Sequence, residues 1–162
     1  MTKQQQSTEL DRIDRKLLDI LQREGRIPMT ELSERIGLST SPCTERVRRL
    51  ERAGVITGYH AHLHPEAVGR TLLVFVEIKL SAKSGEIFDK VRKELLHMPE
   101  VLECHLVSGG FDYLLKARLR GMGQYRHLLG NILKKLPVAA ESHSYVVMEE
   151  IKDSSFLPMD RD

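Results

Sequence analysis

The chain has 162 residues, 41% hydrophobic and 30% charged, which leaves room for one medium domain or two small ones with an ordinary core. Its formal charge is only +2, from 25 Lys and Arg against 23 Asp and Glu, so a nucleic-acid partner must be held by locally placed cations and not by a global field. The start MTKQQQSTEL has no apolar run and no later stretch suits a membrane span, so a cytoplasmic chain without leader or membrane anchor is expected.

Residues 1–9 are Gln-rich and are expected to be disordered. Leu10, Ile13, Leu17, Ile20 and Leu21 then recur at helical spacing, and Gly25 lies just past the end of that stripe. Met29, Leu32 and Ile36 give a second helix its buried face, with Gly37 as the stop and Leu38 packing after it. A third helix opens near Pro42, which suits a first turn because its missing N–H needs no partner there, with Ser41 placed to cap. Cys43, Val47 and Leu50 fall on its inner face. At roughly 100° per residue the outer face holds Ser41, Glu45, Arg48 and Arg52, flanked by Thr44 and Arg49. A short helix, a tight turn and an Arg-bearing helix make a helix-turn-helix, which lays its second helix in the major groove of double-stranded DNA. The DNA-binding domain is read as residues 10–57, with Thr40, Ser41, Thr44, Glu45, Arg48, Arg49 and Arg52 as its candidate contacts. The competing reading is a solvated face on an ordinary bundle, since Glu45 and Glu51 interleave with the arginines. The flanking helices and the turn favour DNA.

Residues 58–69 are read as a hinge strand or linker. His60, His62 and His64 alternate there, a spacing a transition metal could use in a strand, but only Glu66 adjoins them, so solvent-facing hinge residues are expected and no metal. Cys43 and Cys104 sit in different apolar patterns and are expected as small hydrophobes, not a disulfide or zinc site.

Residues 70–152 change character. Thr71 to Leu80 reads as a strand whose Leu72, Val74, Val76, Ile78 and Leu80 share one face. Ser84 caps a helix running to about Met98, with Ile87, Phe88, Val91 and Leu95 inward and Pro99 ending it. Val101 to Val107 and Asp112 to Leu119 form a hairpin around Ser108-Gly109-Gly110-Phe111. Met122, Tyr125, Leu128, Leu129, Ile132 and Leu133 mark another helix, and Glu141 to Glu150 a last strand. Residues 153–162 are left as a C-terminal tail. The order βαββαβ predicts a ferredoxin-like sandwich, so the fold class is α+β: a three-helix head, a hinge strand and this second domain. Such a sheet carries both helices on one side. Leu73 and Phe75 on the bare side predict an apolar patch covered by a second copy, and a two-fold dimer also presents two heads to two half-sites.

The segments DRIDRKLLDILQREGRI, SPCTERVRRLERAGVITGY, LLVFVEI, ECHLVSGGFDYLLKARL and YVVMEEIK together resemble the leucine-responsive (Lrp/AsnC, feast/famine) family of transcriptional regulators, from about Leu10 to Lys152. The chain is most similar to the proteobacterial leucine-responsive branch. The resemblance implies an N-terminal helix-turn-helix, a hinge strand, and a C-terminal domain that binds amino acids and assembles dimers into octamers or similar rings. It also implies control of amino acid metabolism genes, such as those of branched-chain amino acid or alanine catabolism. Two departures stand out. The branch tends to read SGDFDY where this chain has SGGFDY, so Gly110 removes a carboxylate, and Pro28 stands where Ser is frequent.

An amino acid effector presents a carboxylate, an ammonium and a side chain. Ser108, Gly109 and Gly110, followed by Phe111, offer backbone N–H groups for the carboxylate, Asp112 an acceptor for the ammonium, and Leu106, Met122, Tyr125 and Tyr145 a side-chain pocket. A plain hairpin turn would use the same glycines. The resemblance places effectors near this hairpin, between dimers. No cofactor and no catalytic set is expected, because the chain has neither a Gly-x-Ser-x-Gly elbow nor a Walker loop. An architectural, nucleoid-associated protein that wraps DNA is the alternative reading, and an amino-acid-binding enzyme subunit a more distant one.

Overall fold

The computed structural model describes residues 9–159. The start expected to be disordered, residues 1–9, lies outside them except for Glu9. The described residues divide into two compact units, one of residues 9–62 and 153–159, the other of residues 63–152.

In the first unit α1 spans Arg12–Arg23, α2 Met29–Ile36 and α3 Thr40–Arg52. Helix α1 opens with a capping box: the Asp11 carboxylate accepts the Asp14 N–H at 2.7 Å and the Asp14 carboxylate accepts the Asp11 N–H at 3.3 Å. Helix α2 starts on Pro28, whose preset φ replaces a side-chain cap, and stops at Gly37 in the left-handed region (φ 77°). The Leu38 N–H then returns to the Ser33 carbonyl at 2.9 Å. The cap of α3 is Ser39, not Ser41 as expected. Pro42 therefore sits third in the helix, still within the first turn where an absent N–H loses nothing. Leu17, Leu18, Leu21, Leu32, Ile36, Cys43, Val47 and Leu50 close into one core, and burial raises the pKa of the Cys43 thiol.

Residues 58–64 carry no strand hydrogen bonds among the described residues and run as a linker. One expectation about the connections needs correction. The C-terminal residues are not a separate tail. The Gln22 side-chain amide donates to the Leu157 carbonyl at 3.0 Å and accepts the Leu157 N–H at 2.8 Å. Arg23 lies over the Phe156 ring at 4.1 Å, and Met159 packs on the three-helix core. The segment was illegible because Phe156, Leu157 and Met159 follow no helical or strand period, and Leu157 meets Gln22 across 135 residues.

The second unit contains β1 (Leu72–Leu80), α4 (Gly85–Leu96), β2 (Val101–Leu106), β3 (Tyr113–Leu119), α5 (Met122–Lys135) and β4 (Ala140–Val146). Ser84 caps α4 through the Ile87 N–H at 3.2 Å. The strands pair antiparallel in the order β2-β3-β1-β4, the βαββαβ topology expected. Strand β4 is shorter and earlier than predicted, ending before Val147, so Met148 falls outside it and is fully exposed. Val74, Val76, Ile78 and Leu80 are buried against Val91 and Leu95 of α4 and Leu128 and Ile132 of α5, so both helices cover one face. On the other face Phe75 pairs with Lys116 and Tyr145, and Glu77 with Leu114 and His143. That face is mixed rather than oily. Leu73, expected to be exposed there, is only 6% exposed within its own chain, while Phe75 is half-buried.

The terminal segment yields a test. Gln22→Ala removes both amide bonds to Leu157, which should destabilise the first unit by about 1–2 kcal/mol. Truncation after Lys152 should cost at least as much, because it also removes Met159 and Phe156. Urea titration of the variants checks both, and an unchanged midpoint would show that the segment does not hold α1.

Candidate nucleic-acid interface and ligand turn

The orientation of α3 is set by two buried polar groups on the helices before it. Ser33, 3% exposed, donates to the Thr30 carbonyl at 2.7 Å and lies 3.5 Å from the Thr40 hydroxyl at the start of α3. Asp14 is wholly buried, and both its carboxylate oxygens are taken by α3: Arg46 Nη1 reaches Oδ1 at 2.8 Å and Arg49 Nη2 reaches Oδ2. Arg46 also holds the Asp11 carboxylate at 2.6 Å. The backbone N–H of Asp14 and then Arg46 keep the Asp11 carboxyl below the usual range despite burial, and the two acids raise the pKa of Arg46.

These contacts sort the candidate DNA residues. Arg48 is exposed and has no ion-pair partner among the described residues. Arg52 is exposed and pairs with Glu45 at 2.5 Å, a contact that water screens. Thr44 is half-buried, its hydroxyl turned back to the Thr40 carbonyl at 2.8 Å, while Thr40 and Ser41 lie exposed at the helix start. Arg49 is tied to Asp14 on one side and 44% exposed on the other. Asp14 and Arg46 were missed in the sequence. A signal was present: an acid on the apolar stripe of α1, four residues after Leu10 and three before Leu17, needs a buried cation.

The hairpin between β2 and β3 corrects another expectation. Asp112 is not a free carboxylate facing a ligand. It is 4% exposed, accepts the Leu80 N–H at 2.8 Å and meets Lys83 Nζ at 2.7 Å, while its own N–H donates to the Ile78 carbonyl. Burial alone would raise its pKa, but the Lys83 ammonium and the Leu80 N–H outweigh that and hold it below the usual carboxylate value. The residue therefore buttons the hairpin to the end of β1. Ser108, Gly109 and Gly110 are exposed and Phe111 is half-buried. Gly109 has φ 145°, which favours glycine, whereas Gly110 has an ordinary φ and open space where a Cβ would lie.

The remaining ligand candidates do not gather at this turn within one chain. Met122 and Tyr125 begin α5, beyond the far end of the seven-residue β3, so about 20 Å of strand separates them from the turn. Tyr145 lies on the helix-free face, half exposed, with the Glu77 charge raising its phenol pKa. Leu106 opens instead into a cleft of about 320 Å³ along the edge strand β2, lined also by Leu96, Leu102, Cys104 and Tyr113. His60, His62 and His64 are exposed, and no three His, Cys, Asp or Glu side chains among the described residues are grouped to hold a metal.

Comparison with known proteins follows the same division. Residues 10–57 match the winged helix-turn-helix DNA-binding family model, and residues 73–157 match the Lrp/AsnC ligand binding domain. The chain is 51% identical over 156 residues to the leucine-responsive regulatory proteins of Escherichia coli K12 and Klebsiella pneumoniae, covering 96% of this chain and 95% of theirs. Similar solved structures include an AsnC family transcriptional regulator from Agrobacterium tumefaciens, with TM-score 0.87 and 34% identity, covering 92% of this chain and 97% of that one. A transcriptional regulator of Neisseria meningitidis in complex with L-methionine has TM-score 0.87 and 36% identity over 94% of this chain and 98% of that one. No helix among the described residues is long and apolar enough to cross a membrane.

The Asp112 clamp predicts a pH signature. Its folded pKa lies below the unfolded value of about 3.9, so its contribution is complete above about pH 4 and disappears as pH falls through the lower, folded pKa. Asp112→Asn keeps the shape but loses the charge-assisted acceptor, which should lower stability by about 1.5–3 kcal/mol at neutral pH. The deficit should shrink toward pH 2. Melting curves of both proteins across that range test it, and a constant difference would show that the carboxylate charge is not used.

Proposed function

Because the chain belongs to the Lrp/AsnC family of transcriptional regulators, with a helix-turn-helix DNA-binding unit and an amino-acid-binding unit, we propose that it controls amino acid metabolism genes in response to an apolar amino acid such as leucine or methionine. The observation that carries the DNA side is Arg48: an exposed guanidinium, without an ion-pair partner among the described residues, on a helix whose orientation Asp14 and Ser33 fix. Thr40, Ser41, Thr44, Glu45, Arg49 and Arg52 complete the surface that faces the groove. The protein acts by binding and not by catalysis, from the cytoplasm.

The effector reading rests on the turn. Ser108, Gly109 and Gly110 are exposed residues whose backbone N–H groups suit a carboxylate, and Phe111 beside them offers an apolar wall. Asp112 serves this site by holding the hairpin in place, not by meeting the ammonium. Leu106, Met122, Tyr125 and Tyr145 reach the same ligand only when copies of the chain combine. Relatives support this class of effector: the Neisseria regulator, and a feast or famine regulatory protein of Mycobacterium tuberculosis at TM-score 0.84 and 34% identity, were each solved with L-methionine. The helix-free sheet face that carries Phe75 and Leu73 is the surface we assign to the dimer, and dimers join into an octamer or similar ring.

Arg48→Ala should weaken binding to a duplex selected from a randomised pool by about 1–3 kcal/mol at constant salt, with melting and mass unchanged. Unaltered affinity would remove α3 from the groove. For assembly, Phe75→Lys places a second cation on that face directly opposite Lys116, so light scattering should report smaller species or insolubility. A soluble variant of unchanged mass would free that face. A thermal-shift screen of the twenty amino acids should single out apolar ones, since a ligand at a hundred times its Kd adds about 2.7 kcal/mol. A flat screen would count against an amino acid effector.

A further inference from the structure

The arginines of α3 are not equivalent. Arg48 has no ion-pair partner among the described residues, Arg52 pairs with a neighbour on its own helix, and Arg46 divides its guanidinium between Asp11 at 2.6 Å and Asp14 at 2.8 Å. Arg49 is different again. One of its terminal nitrogens is bound to a carboxylate that is entirely buried, yet its side chain remains 44% exposed. A guanidinium has five N–H donors in a rigid plane, so fixing one edge fixes the direction of the others. The anchor itself cannot turn away. Asp14 sits inside α1 at the third position of its capping box, and its second oxygen is held by Arg46.

From this geometry we propose that Asp14 is a positioning residue for DNA binding, acting through Arg49. It clamps the inner edge of the Arg49 guanidinium so that the outer edge is presented, already oriented, to a backbone phosphate beside the groove. Arg49 thereby meets a phosphate with little loss of side-chain freedom, which a long unsupported cation must otherwise give up on binding. Arg46 fills the other half of the acid and keeps α3 on α1. A phosphate contact made this way is independent of base sequence, so its effect appears on any duplex.

Full-length protein is titrated with one mixed-sequence duplex over a series of KCl concentrations. Arg49→Ala should reduce the slope of log affinity against log salt by about 0.9 for each engaged head. Asp14→Asn keeps the Arg49 charge but frees it, so the slope should persist while affinity falls about three- to tenfold. In the Arg49→Ala background Asp14→Asn should cause no further loss. An unchanged slope in Arg49→Ala would make Arg49 a structural partner of Asp14 only and overturn the proposal. An equal loss from Asp14→Asn with and without Arg49 would also overturn it, placing the effect on Arg46 or on packing. If Asp14→Asn does not fold, Arg49→Lys decides alongside the slope. A lysine keeps the charge but lacks the fork that spans acid and phosphate, so the slope should hold and affinity drop; full affinity with lysine would refute a fixed guanidinium.

Discussion

Strand β1 is hydrogen-bonded on both edges, to β3 and to β4, and its alternate residues Val74, Val76 and Ile78 are completely buried under α4 and α5. Everything in the second unit is arranged around this strand. Its pleat fixes which residues of β3 and β4 face the helices, because a shift of one position would turn every side chain to the other face. Its end is fixed by Asp112, which takes the Leu80 N–H that the ladder leaves over and so sets where the β2–β3 hairpin begins. The helix-free face follows from the same pleat: Phe75, Glu77 and Lys79 alternate with the buried set.

The first unit solves a different problem. Three short helices bury a small core, and the helix that reads DNA must keep its inner side apolar and its outer side basic. The buried Asp14 carboxylate allows a basic helix to be held by charge as well as by packing. Removing either side of such a pair leaves an uncompensated buried charge, so the pair specifies one orientation of α3 more than it adds to net stability. The segment ending at Met159 closes over α1 through Gln22 and adds apolar cover to a core that eight buried residues form.

The two units are thus built on opposite uses of a carboxylate. Asp112 receives a backbone N–H and stops a ladder, while Asp14 receives two guanidinium groups and joins two helices. Neither acid is available to solvent. Both were open to misreading in the sequence, where an acid next to a glycine turn looks like a ligand group and an acid in an amphipathic helix looks like surface.

Periodicity alone determined a good deal. The helices α1 to α5, the strand order along the chain, the capping of α4 by Ser84, the stop at Gly37 and the outward place of Arg48 are local consequences of residue type and spacing, and the structure agrees with each. Tertiary structure decided the rest. Which arginines of α3 are free depends on an acid more than thirty residues earlier, and the role of Asp112 depends on a backbone N–H thirty-two residues away. Leu73 is buried by its own chain although its parity matches Phe75, and Met122 and Tyr125 lie at the opposite end of β3 from the turn they were grouped with. Spacing along one element reports which face a residue occupies. It carries no information about what a distant element places against that face, and the partners of a polar side chain are set there.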